Sequence, residues 1–478
     1  MNTDEFREQA HLMVDWMADY MEQVEEYPVK SQVAPRTIYD QINSGIPEQG
    51  EGMNPIFKDF KEIILPGITH WQNPNFFAYF QANTSPPSIL AEMLTATLGI
   101  QGMKWETSPA ATELEEKMME WLGEGIGLPK EWVGVIQDSA SMATLSAILT
   151  ARERLSNYQI NEEGFEGYFN LRVYCSDQTH SSIEKGAKIA GVGKRNVIKI
   201  PTNDLLEMRP DLLSQQIERD IKDGHQPLCI VAALGTTGTL AMDPLGAIGK
   251  IAEKYNIWLH VDAAYAGAAF LLPEYQGLMN GIEKADSFVF NPHKWLFTNF
   301  DCTAYFVKDK KVLVNTFSIL PEYLKTASDG LVNNYCDWGI PLGRRFRSLK
   351  LWFVMRHYGM EGLQKLLRFH IGLASWLETE IKKDPTFQLV VPRSMNLICF
   401  RFVPEGVDDQ ELHNDINAQL LQKLNASGNL YLTHTRINGK YTLRMSIGQT
   451  NVEQSHVEKA WNSIQEVAKK IGAIKKGK

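Results

Sequence analysis

Apolar positions follow two rhythms along this chain. Short, mostly apolar runs at 171–175, 197–200, 228–233, 257–261 and 287–290 read as buried strands. Between them, 180–190, 212–221 and 245–255 carry apolar residues at three- and four-residue steps, the spacing of one helix face. Upstream, 134–137 is a further strand leading into a helix from 142. Such βα alternation predicts a largely parallel sheet covered on both faces.

The flanks read differently. In 4–27, Phe6, Ala10, Met13, Val14, Met17 and Met21 form one apolar stripe opposite an acidic face, predicting an amphipathic helix. Such a stripe packs either on its own domain or on a second subunit. Further helices are expected at 54–64, 85–99 and 109–124, the last with Pro109 in its first turn. Beyond 347, helices at 348–357, 362–382, 409–424 and 452–470 alternate with strands at 387–391, 397–402 and 441–446, a small α+β domain. The resulting division is 1–85 as an amino-terminal helical segment packing on a partner subunit, 86–347 as a large α/β domain, and 348–478 as the small carboxyl-terminal domain. Residues 320–339 show no periodicity, which fits a lid or binding loop.

Composition adds bounds. The 478 residues are 44% hydrophobic and 22% charged, ordinary for a globular protein, and the net charge of −9 argues against nucleic acid as partner. Cys175, Cys229, Cys302, Cys336 and Cys399 contain no CxxC pair, which fits reduced cytoplasmic thiols and no metal site. The first residues lack a signal-peptide pattern, and no apolar run is long enough to span a membrane.

Chemistry enters at strand ends. Asp262 closes the strand at 257–261, and the small residues Ala263, Ala264, Ala266 and Gly267 leave room for a flat group near the backbone. Lys294 follows the strand at 287–290 behind an Asn-Pro break. A lysine for a Schiff base and an acid for a pyridine nitrogen are what pyridoxal phosphate requires. Alone, each has a plain reading, a surface lysine or a turn-forming aspartate. Ser139-Ala-Ser141 opens a helix directly after a strand and offers hydroxyls and free N–H groups to a phosphate, or simply caps the helix. His180, Thr236, Thr237, Asp262 and Lys294 all lie just past predicted strands, where open α/β sheets bind ligands. Gly186-x4-Gly191 is followed by Val192, so it is no Walker loop. The aromatic stretch His70-Trp-Gln-Asn-Pro-Asn-Phe-Phe-Ala-Tyr-Phe80 is either core or the wall of a pocket for a flat substrate. The basic cluster Gly343-Arg-Arg-Phe-Arg347 points to pairing with acids inside the protein.

Together, His70-Trp71, Phe77-Ala-Tyr-Phe80, Ser108-Pro109, Ser139-Ala-Ser141, Ser176-Asp-Gln-Thr-His180, Gly235-Thr-Thr237, His260-Val-Asp262-Ala-Ala-Tyr-Ala-Gly267, Asn291-Pro-His-Lys294-Trp295 and Ile340-Pro-Leu-Gly-Arg-Arg-Phe-Arg347 resemble the pyridoxal-phosphate-dependent group II decarboxylases. The resemblance is closest to the aromatic-L-amino-acid decarboxylases and covers nearly the whole chain. It implies a fold type I (aspartate-aminotransferase-like) enzyme and a cytoplasmic homodimer with shared active sites. It further implies decarboxylation of aromatic L-amino acids to amines. By that resemblance Lys294 carries the cofactor, Asp262 pairs with its ring nitrogen, His180 stacks on its ring and Ala264 packs on the other face. Ser139, Ala140, Ser141, Asn291 and His293 match phosphate positions, and Thr237 matches a cofactor-contacting threonine. Tyr323 matches a loop tyrosine that protonates substrate carbon. Trp71, Tyr79, Phe80, Gln101, Met103, Leu342 and Gly343 match substrate positions, with 101 and 103 reached from the other subunit. In plant relatives, glycine at the position of Gly343 tends to accompany indole substrates and serine phenolic ones. Asp138 stands where relatives often have glycine, Ala82 where animal relatives have threonine, and Gln101 and Met103 where those relatives have apolar or aromatic residues. The rival readings are an aromatic aldehyde synthase, an acidic-amino-acid decarboxylase and a degenerate cofactor-binding homologue. Aldehyde-forming relatives typically replace the loop tyrosine with phenylalanine, so Tyr323 favours amine formation.

Overall fold

A computed structural model of the chain describes residues 1–42, 45–168, 170–319 and 330–476. These fall into two compact units, Ala82–Phe369 and Met1–Gln81 with His370–Lys478.

The larger unit is built on β1 (Val133–Gln137), β2 (Leu171–Ser176), β3 (Val197–Ile200), β4 (Gln226–Ala233), β5 (Trp258–Asp262), β6 (Ser287–Phe290) and β7 (Thr303–Val307). Their order across the sheet is β1-β7-β6-β5-β4-β2-β3. From β3 through β6 every pairing is parallel, whereas β7 runs antiparallel to both β6 and β1. The reason lies in the connections. Helices Ser182–Ile189, Pro210–Lys222 and Leu245–Tyr255 supply the crossovers that parallel neighbours need, while β6 passes to β7 through a short connection with only the one-turn helix Pro292–Trp295. The sequence pattern had not marked β7 or the helix Lys310–Phe317.

Every residue of β5 is buried, as expected of a central strand covered on both faces. His260 lies within it, its ring nitrogens near Ser287 Oγ (2.9 Å) and Thr144 Oγ1 (3.4 Å). Burial pushes its pKa down to about 4, so the ring sits in the core neutral. Around it, Ile148, Val173, Cys175, Ile183, Val231 and Trp258 pack as one apolar cluster.

The second unit carries β8 (Phe387–Leu389), β9 (Leu397–Phe402), β10 (Thr433–Ile437) and β11 (Lys440–Ser446), antiparallel in the order β10-β11-β9-β8. Its core joins Phe77 to Phe387, Phe400, Ile416, Leu443 and Trp461. Phe77 N–H donates to Tyr431 O (3.0 Å), and Ser446 N–H donates to Phe77 O (3.0 Å). The amino-terminal stretch and the carboxyl-terminal sheet therefore share one core, where the sequence division set 1–85 apart from 348–478. Gly359 (φ 64) interrupts the helical run Arg347–Lys383 near the break expected there.

The first helix, Thr3–Gln23, starts with a capping box. Asn2 Oδ1 accepts from the N–H groups of Asp4 and Glu5, and Glu5 Oε2 accepts from Asn2 N–H (2.8 Å). None of its residues is buried within the chain. Among the described residues no helix is long and apolar enough to cross a membrane.

Candidate active site

Because β1 and β6 both pair antiparallel with β7, they run in the same sense as β2, β4 and β5. The carboxyl ends of all five strands open onto one sheet edge. There the chain delivers Ser139 after β1, His180 after β2, Thr236 and Thr237 after β4, Asp262 at the end of β5, and Lys294 after β6. Register makes the alignment strict: Asp262 is the partner of both Ala233 on β4 and Val289 on β6. Backbone bonds then lock the β5 and β6 exits together, with Asn291 N–H donating to Ala264 O (3.0 Å) and Lys294 N–H to Asn291 O (2.9 Å).

Asp262 is 8% exposed, and its Oδ1 accepts from Ala264 N–H (3.0 Å). A carboxylate has a second oxygen with which to accept from a ligand. His180 lies in the turn before the helix Ser182–Ile189, which begins two residues later than its sequence pattern suggested. Its Nδ1 accepts from Ser182 N–H (3.1 Å) and lies 2.9 Å from Ser182 Oγ. A ring nitrogen that accepts from a backbone N–H carries no proton, so the neutral tautomer holds its hydrogen on Nε2. Burial lowers the His180 pKa; the Asp262 carboxylate works against this and the Lys294 ammonium adds to it. Those charge interactions bring His180, Asp262 and Lys294 into one cluster.

A second group suits a phosphate. Ser139 caps the helix Ala140–Ser156: its Oγ accepts from Met142 N–H (3.2 Å) and donates to Asp138 Oδ1 (2.8 Å). The first turn, with Ala140 and the exposed Ser141, presents N–H groups that have no intrahelical acceptor. His293 is buried, its Nδ1 accepting from Cys302 N–H (2.9 Å), and burial pushes its pKa down to about 3. Like His180 it is a neutral ring with Nε2–H as donor. Asn291 Oδ1 accepts from Thr303 Oγ (2.9 Å), which leaves its amide hydrogens for a ligand. Thr237 is exposed, whereas the buried Thr236 shapes its own turn by accepting from Ala241 N–H (3.1 Å).

The small residues after Asp262 behave differently from expectation. Ala263, Ala266 and Gly267 are wholly buried, and a side chain on Gly267 would collide with Phe290. Ala263 and Gly267 thus bring the β5 and β6 exits together, while Ala266 packs against Gly235 after β4. Only Ala264 is left partly exposed to face a flat group.

Four of the substrate-position residues form a patch of the larger unit. Gly102 N–H donates to Arg344 O (2.9 Å), Cys336 N–H to Met103 O (2.9 Å), and Arg344 N–H to Gln101 Oε1 (2.6 Å). Leu342 and Gly343 are exposed beside them. Trp71, Tyr79 and Phe80 belong to the other unit, where Trp71 stacks on Tyr79 (centroids 5.8 Å, 18°) and Arg444 lies over the Phe80 ring (4.3 Å). Tyr323 lies outside the described residues. The basic cluster does pair with acids: Arg344 with the buried Glu115 (2.6 Å), Arg347 with Asp301 (2.8 Å) and Arg345 with Glu92.

Sequence reasoning passed over the residues that hold the site in place. Asn83 N–H donates to His293 O (3.0 Å) and its side-chain amide to Lys294 O. Ser182 and Thr303 orient His180 and Asn291. Their signal was slight, polar residues next to candidate residues, each with an equally good role as a turn or strand end.

A buried acid and a lysine joined by neutral ring donors, on the carboxyl edge of such a sheet, define a pyridoxal-type site. Residues 35–403 match the pyridoxal-dependent decarboxylase conserved domain, and the chain belongs to that family. It is 44% identical over 478 residues to phenylacetaldehyde synthase of Arabidopsis thaliana, covering 98% of this chain and 96% of the relative. It is 41% identical over 484 residues to tyrosine decarboxylase 4 of Petroselinum crispum, covering 98% and 94%. The solved structure of Oryza sativa tryptophan decarboxylase with pyridoxal phosphate and tryptamine superposes with a TM-score of 0.96 at 35% identity, covering 98% of this chain and 99% of that one. The fold is that of the fold type I pyridoxal-phosphate decarboxylases. The donor set fits the cofactor: a buried carboxylate for a ring N–H, neutral Nε2–H donors, and a helix start for a phosphate.

Proposed function

We propose that this chain decarboxylates aromatic L-amino acids to the corresponding amines and carbon dioxide, as a cytoplasmic homodimer. The observation that carries the reading is the strand register that sets Asp262, at the end of β5, beside Ala233 and Val289 on β4 and β6, with Lys294 just past β6. When bound, pyridoxal phosphate supplies an electron-accepting ring that stabilises the charge left at substrate Cα as carbon dioxide departs. Lys294 Nζ would hold the cofactor at its aldehyde carbon. The second oxygen of Asp262 keeps a proton on the ring nitrogen, since a carboxylate favours the charged form of its partner. His180, oriented by Ser182, would cover one face of the ring, and Ala264 would pack on the other. Ser139, Ala140, Ser141, Asn291, His293 and Thr237 hold the phosphate. Tyr323 delivers a proton to substrate Cα.

Gln101, Met103, Leu342 and Gly343, one patch of the larger unit, would face the substrate ring, with Gln101 and Met103 serving the site of the partner copy. The dimer is supported by the helix Thr3–Gln23, which has no buried residue and leaves Phe6 56% exposed. It is also supported by the helix Pro86–Leu98, which exposes Leu90, Leu94 and Leu98. Apolar faces of that kind mark association surfaces.

The aldehyde-forming reading has a specific support, the similarity to a phenylacetaldehyde synthase, and Tyr323 speaks against it. One substrate panel decides between them: tryptophan, 5-hydroxytryptophan, DOPA, tyrosine, phenylalanine and glutamate, with amine, aldehyde and peroxide quantified. Amine from both indole and phenol substrates is the expected result. Aldehyde with stoichiometric peroxide would replace this reading, and glutamate outperforming every aromatic would overturn the substrate class.

A further inference from the structure

Away from the site, Cys175 and Lys199 are register partners on the parallel strands β2 and β3. Register partners in a parallel pair project from the same sheet face, so the sheet itself holds these side chains together. Lys199 Nζ donates to Cys175 Sγ (3.3 Å) and to Thr179 Oγ1 (3.4 Å), and Thr179 Oγ1 donates to Ser176 O (2.6 Å). The sulfur belongs to the apolar core, while Lys199 is exposed and reaches down to it from the surface. Burial raises the thiol pKa, and the ammonium beside it pulls in the other direction. Nothing in the decarboxylation uses either residue.

We infer that Cys175 and Lys199 form a reversible oxidative cross-link, a sulfur–nitrogen bond made when the thiol meets hydrogen peroxide. In the first step the peroxide O–O bond breaks, sulfur loses two electrons and becomes a sulfenic acid, and water leaves. In the second step Lys199 releases its ammonium proton to solvent and the neutral amine attacks sulfur, the S–OH bond breaks, and the hydroxide departs as water with an amine proton. Overall, one thiol, one amine and one peroxide give one S–N bond and two waters. A sulfenic acid condenses with a backbone nitrogen in this way, and an amine nitrogen is the stronger nucleophile. Here the attacking atom is already in contact, so the step requires no loop closure and outruns further oxidation of the sulfur. The bond would tie β3 to the strand that leads into the His180 turn.

The test uses the full-length holoenzyme. After hydrogen peroxide treatment and alkylation, digestion without reductant should give a Cys175–Lys199 peptide pair lighter by two hydrogens than the sum of its parts. Dithiothreitol should abolish that pair. Lys199→Arg keeps the charge and the donor but is a poor nucleophile; it should lose the pair and carry Cys175 on to sulfinic acid. Cys175→Ser should lose both products. A wild-type protein in which Cys175 stays a free thiol would overturn the inference, as would sulfinic acid formed as fast as in Lys199→Arg.

Discussion

Gly343→Ser is the perturbation that most directly tests how this site chooses its ring. Gly343 lies outside the left-handed region, so its backbone tolerates a side chain, but a Cβ there would stand 3.0 Å from Gln101 Nε2. The backbone has little freedom to retreat. Arg344, the next residue, is fixed by its side chain on Glu115 Oε1 (2.6 Å) and Ile136 O (2.7 Å), and its N–H by Gln101 Oε1 (2.6 Å). Gln101 must therefore move by a few tenths of an ångström, and a rotation that relieves the contact breaks its bond to Arg344 N–H. Losing one such bond costs about 0.5–1.5 kcal/mol, and overpacking costs about 1–3 kcal/mol. The bulkier indole needs the space that Gln101 is pushed into, so kcat/KM for tryptophan should fall roughly 5- to 100-fold relative to tyrosine, tenfold being about 1.4 kcal/mol. Competition assays with both substrates present give the ratio directly. Gln101→Ala removes the obstructing amide, so the double variant should recover a large part of the tryptophan rate. Equal losses on both substrates would refute the steric argument, and an unrescued double variant would refute the relay through Gln101.

Four further outcomes follow from the same structure. Asp262→Asn should bind cofactor yet lose turnover by roughly 10- to 1000-fold, because a carboxylate partner is worth about 1–3 pKa units on the ring proton; cofactor absorbance and single-turnover rates check both halves. Tyr323→Phe should move product from amine toward aldehyde and peroxide under air, since the proton donor to Cα is gone; an unchanged amine yield would assign that proton to another group. Arg344→Met should strip the buried Glu115 carboxylate (4% exposed side chain) of its countercharge and cost about 3–5 kcal/mol in urea unfolding; a loss below about 1 kcal/mol would be inconsistent with a buried pair. Stability should fall as pH drops from 6.5 toward 4: His260, His293 and His370 have folded pKa values near 4, 3 and 3, so the unfolded chain takes up protons that the folded one refuses. Asp243, raised to about 6, opposes this over part of the range, and His370→Gln should make the slope of thermal midpoint against pH shallower.

Legibility in the sequence depended on how each residue meets its surroundings. Strands β2 to β6 were legible because buried parallel strands are continuous apolar runs, and the helices between them because one face is core. In β10 the residues alternate between half-buried and exposed, and Thr433-His-Thr-Arg-Ile437 carries almost no apolar signal. The tie between Phe77 and Tyr431 is a contact between residues hundreds of positions apart, which no local pattern encodes. Candidate residues were legible for a different reason: Asp262 and Lys294 lie just past strands, where chemistry rather than packing dictates the residue. The small residues beside them misled, because Gly267 is small for the sake of Phe290 rather than for a ligand. Asn83, Ser182 and Thr303 went unread because each acts through another residue's geometry.

The two histidines also explain how this edge can hold an anionic ligand without a surplus of formal charge. His180 and His293 each give Nδ1 to a backbone N–H, and burial lowers the pKa of each, so both rings offer a neutral Nε2–H donor. The helix start after Ser139 contributes a dipole rather than a charge. Dipoles fixed by the fold do not titrate near neutrality, so the grip of this helix start and of His293 on a phosphate would stay constant where an imidazolium would lose it. Asp138 works in the other direction, since its Oδ1 accepts the Ser139 hydroxyl's hydrogen bond and places a carboxylate ahead of that helix. Removing that carboxylate frees the hydroxyl to donate and removes a repulsion. We therefore expect Asp138 to loosen the hold that this helix start would have on a phosphate.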